Sequence, residues 1–376
     1  MMTDAMNKLR QTAVVVLLGC ALAPVGALGQ VTDQSDALQW FNARALTMEG
    51  KGWSDTKQFF DSLPARAEGK VRAAVWGLSQ DSAGLVVRFV TDATAISARW
   101  TLRRERLAMP HMPASGVSGV DLYVRDKGKW HWLGSGRPDE SPTDEKALVK
   151  NMKPARREYL LYLPLYNGVE EVKVGLPGNA KLEEAPPRPL GQKPMVFYGT
   201  SIVQGGCASR PGMAYPAILG RRLDREQVNL GFSGNAWADP EVAGLLAELD
   251  PAVYVLDPLP NMKVEWVAPR LGQFVAILRA THPRTPIVLV ENVAYPDGDY
   301  VESRRERYTQ ANAHLRELHR RLVKAGDKRL LYVSAADLLG TDTEGTVDGT
   351  HPTDLGFMRM ADAIEPTLRR ALKLRQ

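Results

Sequence analysis

The first half of the chain is built from short runs in which apolar and polar residues alternate. Across residues 40–177 these runs carry β-branched and aromatic residues and are separated by turn residues, a pattern that predicts strands. The predicted strands are RAAVWGL, GLVVRFVTD, AISARWTL, GVDLYVRD, KWHWLG, EYLLYLPL and EEVKVGLP. RDKGKW predicts a hairpin turn, since its Gly128 adopts a positive φ without steric cost. Several such strands in succession predict an antiparallel β-sandwich domain over residues 30–182.

A proline-rich segment separates the two halves of the chain. Residues 183–194, EEAPPRPLGQKP, contain four prolines and no apolar periodicity. A segment of this composition forms no core of its own and favours an extended conformation. We therefore expect either a domain linker or a strap that crosses between the domains.

The second half, residues 195–376, alternates apolar runs with helical patterns. PMVFYG precedes AYPAILGRRL, QVNLGF precedes PEVAGLLAEL, and AVYVLD precedes VEWVAPRLGQFVAILRATH. PIVLVEN precedes a charged helix over residues 303–325, and LLYVSAADL precedes a helix that begins near Asp354. Near-continuous apolar runs between amphipathic helices predict parallel strands covered on both faces, hence a doubly wound α/β sheet. Ligands of such sheets bind outside the carboxyl ends of the strands.

Composition is consistent with two folded domains. A length of 376 residues exceeds the usual size of a single core, and 44% hydrophobic and 24% charged residues are ordinary values for globular proteins. The formal net charge is only +5. No basic block is interleaved with aromatic residues in the way that nucleic-acid binding requires, so we expect no nucleic-acid partner.

The N-terminus has the pattern of an export signal. Lys8 and Arg10 precede the apolar run TAVVVLLGCALAPVGAL, and small residues at positions 27–29 supply a cleavage site. We therefore predict a signal peptide over residues 1–29 and a periplasmic or secreted protein. A membrane anchor is the alternative, disfavoured by Pro24 and by the modest length of the run. The motif LLGC also resembles a lipoprotein signal, which would leave Cys20 as a lipid anchor and the membrane as a partner.

Residues of complementary chemistry follow the strands of the second half. Ser201 follows the first strand, Gly234 the second and Asn261 the third, while Asp348 and His351 precede the last helix. A serine hydroxyl becomes nucleophilic when a neutral imidazole takes its proton, and a carboxylate orients that imidazole. The backbone N–H groups of Ser201 and Gly234 and the Asn261 amide supply donors to an oxyanion. The set predicts acyl chemistry that needs no metal and no organic cofactor.

Each of these residues also has a purely structural interpretation. Ser201 is equally typical of a turn or of a helix cap, and Gly234 of a loop that needs positive φ. Asn261 is also typical of a cap, and His351 of a helix entry ahead of Pro352. The presence of all of them at strand ends, in the expected order, favours the catalytic interpretation.

Two further residues are candidates for roles at the site. Cys207 is a rival nucleophile, but no base adjoins it in sequence, and buried cysteines are usually inert. With Cys20 removed alongside a signal peptide, Cys207 has no disulfide partner. No C-x-x-C or H-E-x-x-H motif and no clustered His/Cys spacing supports a metal site. Trp237 either stacks on a sugar ring of the substrate or fills the core.

The combination resembles the SGNH hydrolases, or GDSL-type esterases, whose serine, glycine, asparagine and histidine come from successive strand ends. The resemblance assigns Ser201 as nucleophile, Ser201, Gly234 and Asn261 to the oxyanion hole, and Asp348 with His351 to the DxxH pair. It implies a flavodoxin-like doubly wound sheet. GTS stands where GDS is usual, and DPLPNM replaces the usual G-x-N-D-type loop. The aspartate replaced by threonine is not the one paired with the histidine.

The segments YGTSIVQGGCASRPGMAYP, LDPLPNM and DGTHP are similar to a subgroup with an N-terminal β-domain and a GxDLY signature, present here as GVDLY at residues 119–123. Related members deacetylate carbohydrates. The resemblance therefore implies an exported esterase that removes acyl groups, chiefly acetyl, from an oligosaccharide, a polysaccharide or another small ester. The alternatives are an acyltransferase that uses the same acyl-enzyme and a non-catalytic glycan-binding protein.

Overall fold

The computed structural model describes residues 37–374. The predicted signal peptide, with Cys20, lies outside the described residues. Those residues all belong to one compact unit, which contains two antiparallel sheets and one parallel sheet. Within residues 37–374, none of the helices combines the length and the apolar character that crossing a bilayer requires.

A β-sandwich precedes the proline-rich segment, as predicted. Its strands are β1 (Leu38–Asn42), β2 (Thr47–Glu49), β3 (Val86–Thr91), β4 (Ile96–Leu102), β5 (Val120–Asp126), β6 (Lys129–Gly136), β7 (Thr143–Val149), β8 (Arg157–Tyr162), β9 (Val169–Pro177) and β10 (Leu182–Glu184). One sheet has the order β1-β9-β4-β7 and the other β10-β3-β8-β5-β6, with β2 also pairing to β3. All of these pairings are antiparallel.

The alternation along these strands is explained by the core between the two sheets. Trp100, Phe89 and Tyr159 are fully buried there, and the rings of Phe89 and Tyr159 stack with centroids 5.4 Å apart. The predicted β5–β6 hairpin turns at Lys127 and Gly128, both with positive φ. Because successive side chains of a strand point to opposite faces, every second residue enters this core.

One predicted strand is wrong. RAAVWGL forms a helix, α1 (Ala73–Leu78), whose Val75 and Trp76 are buried. These two side chains pack on the parallel sheet of the second half and not inside the sandwich. Alanine and leucine favour a helix, and the tertiary contact decides between the two conformations. Conversely, β7 was not predicted, because its sequence TDEKALV is mostly polar; it lies at the edge of its sheet.

The second half forms the predicted doubly wound parallel sheet. Its strands are β11 (Met195–Gly199), β12 (Gln227–Gly231), β13 (Val253–Asp257), β14 (Ile287–Val290) and β15 (Leu330–Val333). Their order is β12-β11-β13-β14-β15, which is the flavodoxin-like arrangement. All residues of β11 to β14 are buried, which explains their continuous apolar sequences. The strand order reverses between β11 and β13, where ligands bind in this fold.

The remaining helices follow the predicted alternation, apart from the first of them, which lies between β4 and β5 in the first half of the chain. They are α2 (Ala114–Val117), α3 (Ser201–Gln204), α4 (Tyr215–Arg222), α5 (Pro240–Leu246), α6 (Val264–Trp266), α7 (Gly272–Thr281), α8 (Glu302–Lys324) and α9 (Asp354–Leu372). The single long helix predicted over VEWVAPRLGQFVAILRATH is interrupted by a wider π-type turn over Val267–Leu271. Pro269 lies in this turn and has no N–H group for the regular helical bond.

The β-sandwich region and the parallel sheet share their cores. Trp53 and Leu63 pack on one face of the parallel sheet, and Met112 and Leu165 pack on the other. The proline-rich segment begins with the last two residues of β10. Beyond β10, Arg188 donates hydrogen bonds to both carboxylate oxygens of Glu49, each at 2.9 Å. Arg188 also donates to the backbone carbonyl of Asp224, in the second half, at 2.8 Å, so the segment is held against both halves of the chain.

Candidate active site

Ser201 lies at a sharp turn between β11 and α3. It is the first residue of α3, and Thr200 caps the helix by accepting a hydrogen bond from the Ile202 N–H at 3.2 Å. A Cβ at Gly199 would lie 2.3 Å from the Val203 side chain and 2.5 Å from the Asp257 carbonyl oxygen. Only glycine therefore permits the close approach that brings α3 over the strand end. The turn presents the Ser201 side chain at the carboxyl edge of the sheet.

The structure brings the three predicted catalytic residues into one hydrogen-bonded series. Ser201 Oγ lies 2.8 Å from His351 Nε2, and His351 Nδ1 lies 2.7 Å from Asp348 Oδ2. The other Asp348 oxygen accepts hydrogen bonds from the backbone N–H groups of Thr350 and His351 at 3.0 and 2.8 Å. Partial burial acts to raise the pKa of Asp348, but these hydrogen bonds outweigh it and the pKa is lowered. The carboxylate is therefore ionised near neutral pH, where it accepts the hydrogen bond from the imidazole Nδ1–H.

An arginine that sequence reasoning missed holds this loop in place. Arg304, in the first turn of α8, bonds Asp297 at 2.6 Å and donates to the Gly349 carbonyl and, at 3.3 Å, to Thr350 Oγ1. Gly349 and Thr350 lie between the two residues of the DxxH pair. The arginine-rich sequence of α8 contains no signal that distinguishes this arginine from its neighbours.

The two predicted oxyanion loops are tied to each other and to the nucleophile. Gly234 has φ +69° in an exposed loop after β12, and the neighbouring Ser233 N–H donates to Gln204 Oε1 of α3 at 3.0 Å. Asn261 Oδ1 accepts from the Ala236 N–H at 3.3 Å. No hydrogen bond of the Asn261 NH₂ group occurs among residues 37–374, so this group is left as a donor. The oxyanion roles of Gly234 and Asn261 stay predictions that this arrangement favours.

Cys207 is close to the catalytic residues but is disfavoured as a nucleophile. It lies in the turn after α3 with φ +72° and is buried. Burial raises the pKa of its thiol to about 12, and the Asp348 carboxylate adds to this effect. The sulfur is consequently a neutral thiol near pH 7, which is a weak nucleophile.

Trp237 lies directly beside the loop of Gly234. Its indole N–H donates to the Gly234 carbonyl at 2.9 Å, and the Arg72 guanidinium lies 3.7 Å from the ring centroid. The ring of Trp266 follows at 5.7 Å. Because Arg72 covers one face of the indole, only the rest of the ring is available to a ligand. The role of Trp237 in stacking on a sugar stays a prediction.

Besides Arg72, two further residues of the β-sandwich region reach the site, and neither was predicted. The Tyr166 hydroxyl donates to the Ser201 carbonyl oxygen at 3.2 Å. The His111 ring lies 5.7 Å from the His351 ring, measured between centroids. Both residues lie outside strands, so no apolar pattern in the sequence marks them. The first half of the chain therefore helps to build the catalytic edge of the second.

A group of metal-ligand side chains also assembles at this edge. Donor atoms of His111, Cys207 and His351 all lie within 4.8 Å of one another. The residues are remote in sequence, which is why their spacing gave no indication of a metal site. Imidazole and thiolate are the ligands that zinc prefers, so the fold brings together a group that could hold a metal ion, for which the local sequence gave no support.

Comparisons with known proteins agree with the predicted fold and family. The sequence profile of the GDSL-like lipase/acylhydrolase family matches residues 192–369. The profile of the GxDLY domain, the N-terminus of SGNH-hydrolase-type esterases, matches residues 38–182. A sequence comparison with curated proteins gives no match.

Solved structures resemble both halves of the chain together. A GDSL-like lipase from Bacteroides ovatus is 36% identical with a TM-score of 0.85, covering 90% of this chain and 99% of that one. The salicylyl-acyltransferase SsfX3 of a tetracycline biosynthetic pathway is 19% identical with a TM-score of 0.70, covering 90% and 99%. A family two carbohydrate esterase from Clostridium thermocellum is 16% identical with a TM-score of 0.56, covering 77% and 93%. At these lower identities, the last two comparisons concern the fold alone. Together with the two profile matches, the 36% identity over nearly the whole lipase shows that this chain belongs to the GDSL-like lipase/acylhydrolase family of SGNH esterases, with a GxDLY domain at its N-terminus.

Proposed function

We propose that this protein is an exported esterase that removes acetyl groups from acetylated carbohydrates. The observation that carries the proposal is the series of hydrogen bonds from Ser201 Oγ through the His351 ring to Asp348, at 2.8 and 2.7 Å. A hydroxyl, an imidazole and a carboxylate in this order form the arrangement that activates serine for acyl transfer.

The reaction follows from the positions of the protons. With the Nδ1–H of His351 donated to Asp348, the lone pair of Nε2 faces Ser201 Oγ and takes its proton as Oγ attacks the ester carbonyl. The negative charge on the carbonyl oxygen is stabilised by the N–H groups of Ser201 and Gly234 and the Asn261 amide. Nε2 then gives the proton to the leaving alcohol oxygen, and an acyl-enzyme remains on Ser201. Water, deprotonated by the same Nε2, attacks this ester and releases the carboxylic acid.

Two observations and one prediction from the sequence support a carbohydrate ester as the substrate. The side chains of His351 and Asp348 keep 23% and 38% of their accessible surface, so a hydrophilic polymer can approach them without the opening of a lid. Solved carbohydrate esterases, including one from Cellvibrio japonicus, share this fold. The predicted signal peptide would deliver the enzyme to the compartment in which extracellular polysaccharides are met.

The test compares wild type with Ser201→Ala on a panel of acetylated xylan, acetylated monosaccharides and nitrophenyl esters of increasing chain length. We expect Ser201→Ala to lower kcat by about 10⁴-fold or more, with an unchanged circular dichroism spectrum. Ser334→Ala is the matched control, because Ser334 is exposed at the end of another strand of the same sheet. Retention of activity in Ser201→Ala would overturn the mechanism, while a preference for long acyl chains would overturn the proposed substrate.

Acyl transfer to an alcohol is the second candidate function, since the solved acyltransferase SsfX3 has a TM-score of 0.70 to this chain. The same acyl-enzyme serves both reactions, and the reactions differ only in what attacks it. Product analysis with a nitrophenyl ester and added sugar acceptors separates them. An acylated sugar as the main product would favour transfer, and free acid would favour hydrolysis. A serine-directed phosphonate that fails to label Ser201 would instead favour the non-catalytic glycan-binding alternative.

A further inference from the structure

We propose that His111, Cys207 and His351 form a binding site for a soft divalent cation such as Zn²⁺, and that the bound cation reversibly blocks the catalytic histidine. The proposal goes beyond the acyl chemistry, since metal binding is measurable without any ester substrate. Only the second part of the proposal, that the bound cation inhibits ester hydrolysis, rests on the proposed function.

The ligand set is the first argument. Two imidazoles and one thiol have donor atoms within 4.8 Å of one another. Tetrahedral zinc with bonds of about 2.0–2.3 Å separates its ligand atoms by about 3.3–3.8 Å. The side chains therefore need to move inward by an ångström or so. Three protein ligands with an open fourth position are the usual arrangement at reactive zinc sites.

The surroundings of His351 are the second argument. Its Nδ1 is bonded to the Asp348 carboxylate at 2.7 Å, so Nε2 carries the lone pair, which faces the Ser201 hydroxyl at 2.8 Å. A metal-binding histidine normally donates its other N–H to a carboxylate or a carbonyl in this way, because the bond orients the ring and makes the ligand more basic. A cation on Nε2 takes the lone pair that otherwise accepts the Ser201 proton, and it therefore removes the general base.

The backbone places the other two ligands while leaving one of them mobile. His111 lies in a tight turn in which Met109 and Met112 exchange backbone hydrogen bonds at 2.9 and 3.1 Å. Met112 is buried in the core of the parallel sheet, which anchors the turn at the catalytic edge. The His111 side chain is exposed and is free to rotate toward the cation. Cys207 approaches from the buried side, and its proton passes to solvent as the sulfur binds the metal.

The direct test is Co²⁺ binding to the full-length protein, followed by absorption spectroscopy. We expect a near-ultraviolet band from thiolate-to-cobalt charge transfer that is lost in Cys207→Ser. His314→Ala is the matched control, because His314 is an exposed histidine on α8 outside the proposed ligand set, and the band should persist in it. Absence of the band in wild type, or its persistence in Cys207→Ser, would overturn the site.

The second test measures Zn²⁺ inhibition of ester hydrolysis and its reversal by a chelator. Each variant is compared with its own metal-free rate. His111→Ala and Cys207→Ser should each raise the inhibition constant at least about tenfold, whereas the exposed His314→Ala on α8 should leave it unchanged. Equal inhibition of all variants would overturn the proposed ligand set. If no variant hydrolyses esters but the cobalt band behaves as expected, the metal site stands and the proposed esterase function fails.

Discussion

Arg304 connects the first turn of α8 to the loop that carries the predicted acid–base pair, Asp348 and His351. Its guanidinium bonds the Asp297 carboxylate, the Gly349 carbonyl and the Thr350 hydroxyl, and it lies 4.3 Å from the Tyr295 ring centroid. The replacement Arg304→Met keeps an unbranched stem that ends about where Nε of the arginine lies, and it removes every donor. We expect this variant to misplace His351 relative to Ser201 without touching either residue.

The size of the effect follows from the lost hydrogen bonds. A hydrogen bond from a charged donor contributes about 1.5–3 kcal/mol when it is buried, but the Arg304 side chain is 31% exposed and water replaces part of each contact. We therefore expect the conformation of the loop that aligns His351 with Ser201 to be destabilised by about 1–2 kcal/mol. This corresponds to a kcat about 5- to 30-fold lower. KM should change little, since Arg304 contacts neither oxyanion loop.

The assay is hydrolysis of nitrophenyl acetate, with kcat and KM determined separately and with thermal unfolding of each variant. Arg359→Met is the matched control, because Arg359 likewise bonds a backbone carbonyl, that of Leu339 at 2.8 Å, and an aspartate, Asp342. Its kcat should stay within about twofold of wild type, and Arg304→Lys should recover part of the lost rate. An Arg304→Met enzyme with the kcat of wild type, or with a loss no greater than that of Arg359→Met, would refute the positioning role.

Two predictions concern buried carboxyl groups. Asp121 of the GVDLY motif is fully buried and pairs with Arg210 at 2.7 Å, so Asp121→Ala should lower the free energy of unfolding by about 3–5 kcal/mol. Urea unfolding would show this against the exposed Asp139→Ala, which should cost far less because water solvates that carboxylate in the folded state; equal losses would contradict it. Burial raises the pKa of Asp257 from 3.8 to about 8, so the folded state holds a proton that the unfolded state releases, and stability falls as pH rises through this range. Asp257→Asn should make the fall in the free energy of unfolding with pH shallower, by up to about 1.4 kcal/mol per pH unit. A variant whose stability falls as steeply as that of wild type would rule out Asp257 as the source of this pH dependence.

Local sequence was sufficient where the physical constraint is itself local. A strand buried on both faces must be apolar throughout, so the parallel strands β11 to β14 were recognisable from their composition. The turn after β11 needs Gly199 and a capping residue, which marked Ser201. Asp348 and His351 lie three residues apart on one loop, so their pairing needed no knowledge of the fold.

Local sequence failed where an element is decided by what packs on it. RAAVWGL has the composition of a strand as well as of a helix, and the face of the parallel sheet that buries Val75 and Trp76 selected the helix. The polar sequence of β7 forms a strand only because its backbone pairs with that of β4. The parallel sheet is remote in sequence from α1, and β4 is remote from β7. A short stretch of sequence therefore cannot predict either element.

The sequence by itself therefore determined the order of most elements and indicated Ser201 as the candidate nucleophile, because periodicity and turn chemistry act over a few residues. Only the tertiary structure decided that β11 lies between β12 and β13, that the two halves share their cores, and that His111 and Tyr166 reach the catalytic edge. It also decided that Cys207 lies beside His351 and that Arg304 holds the acid–base loop. These are contacts between residues far apart in the chain, and they form only when burial of the shared apolar faces brings the elements together.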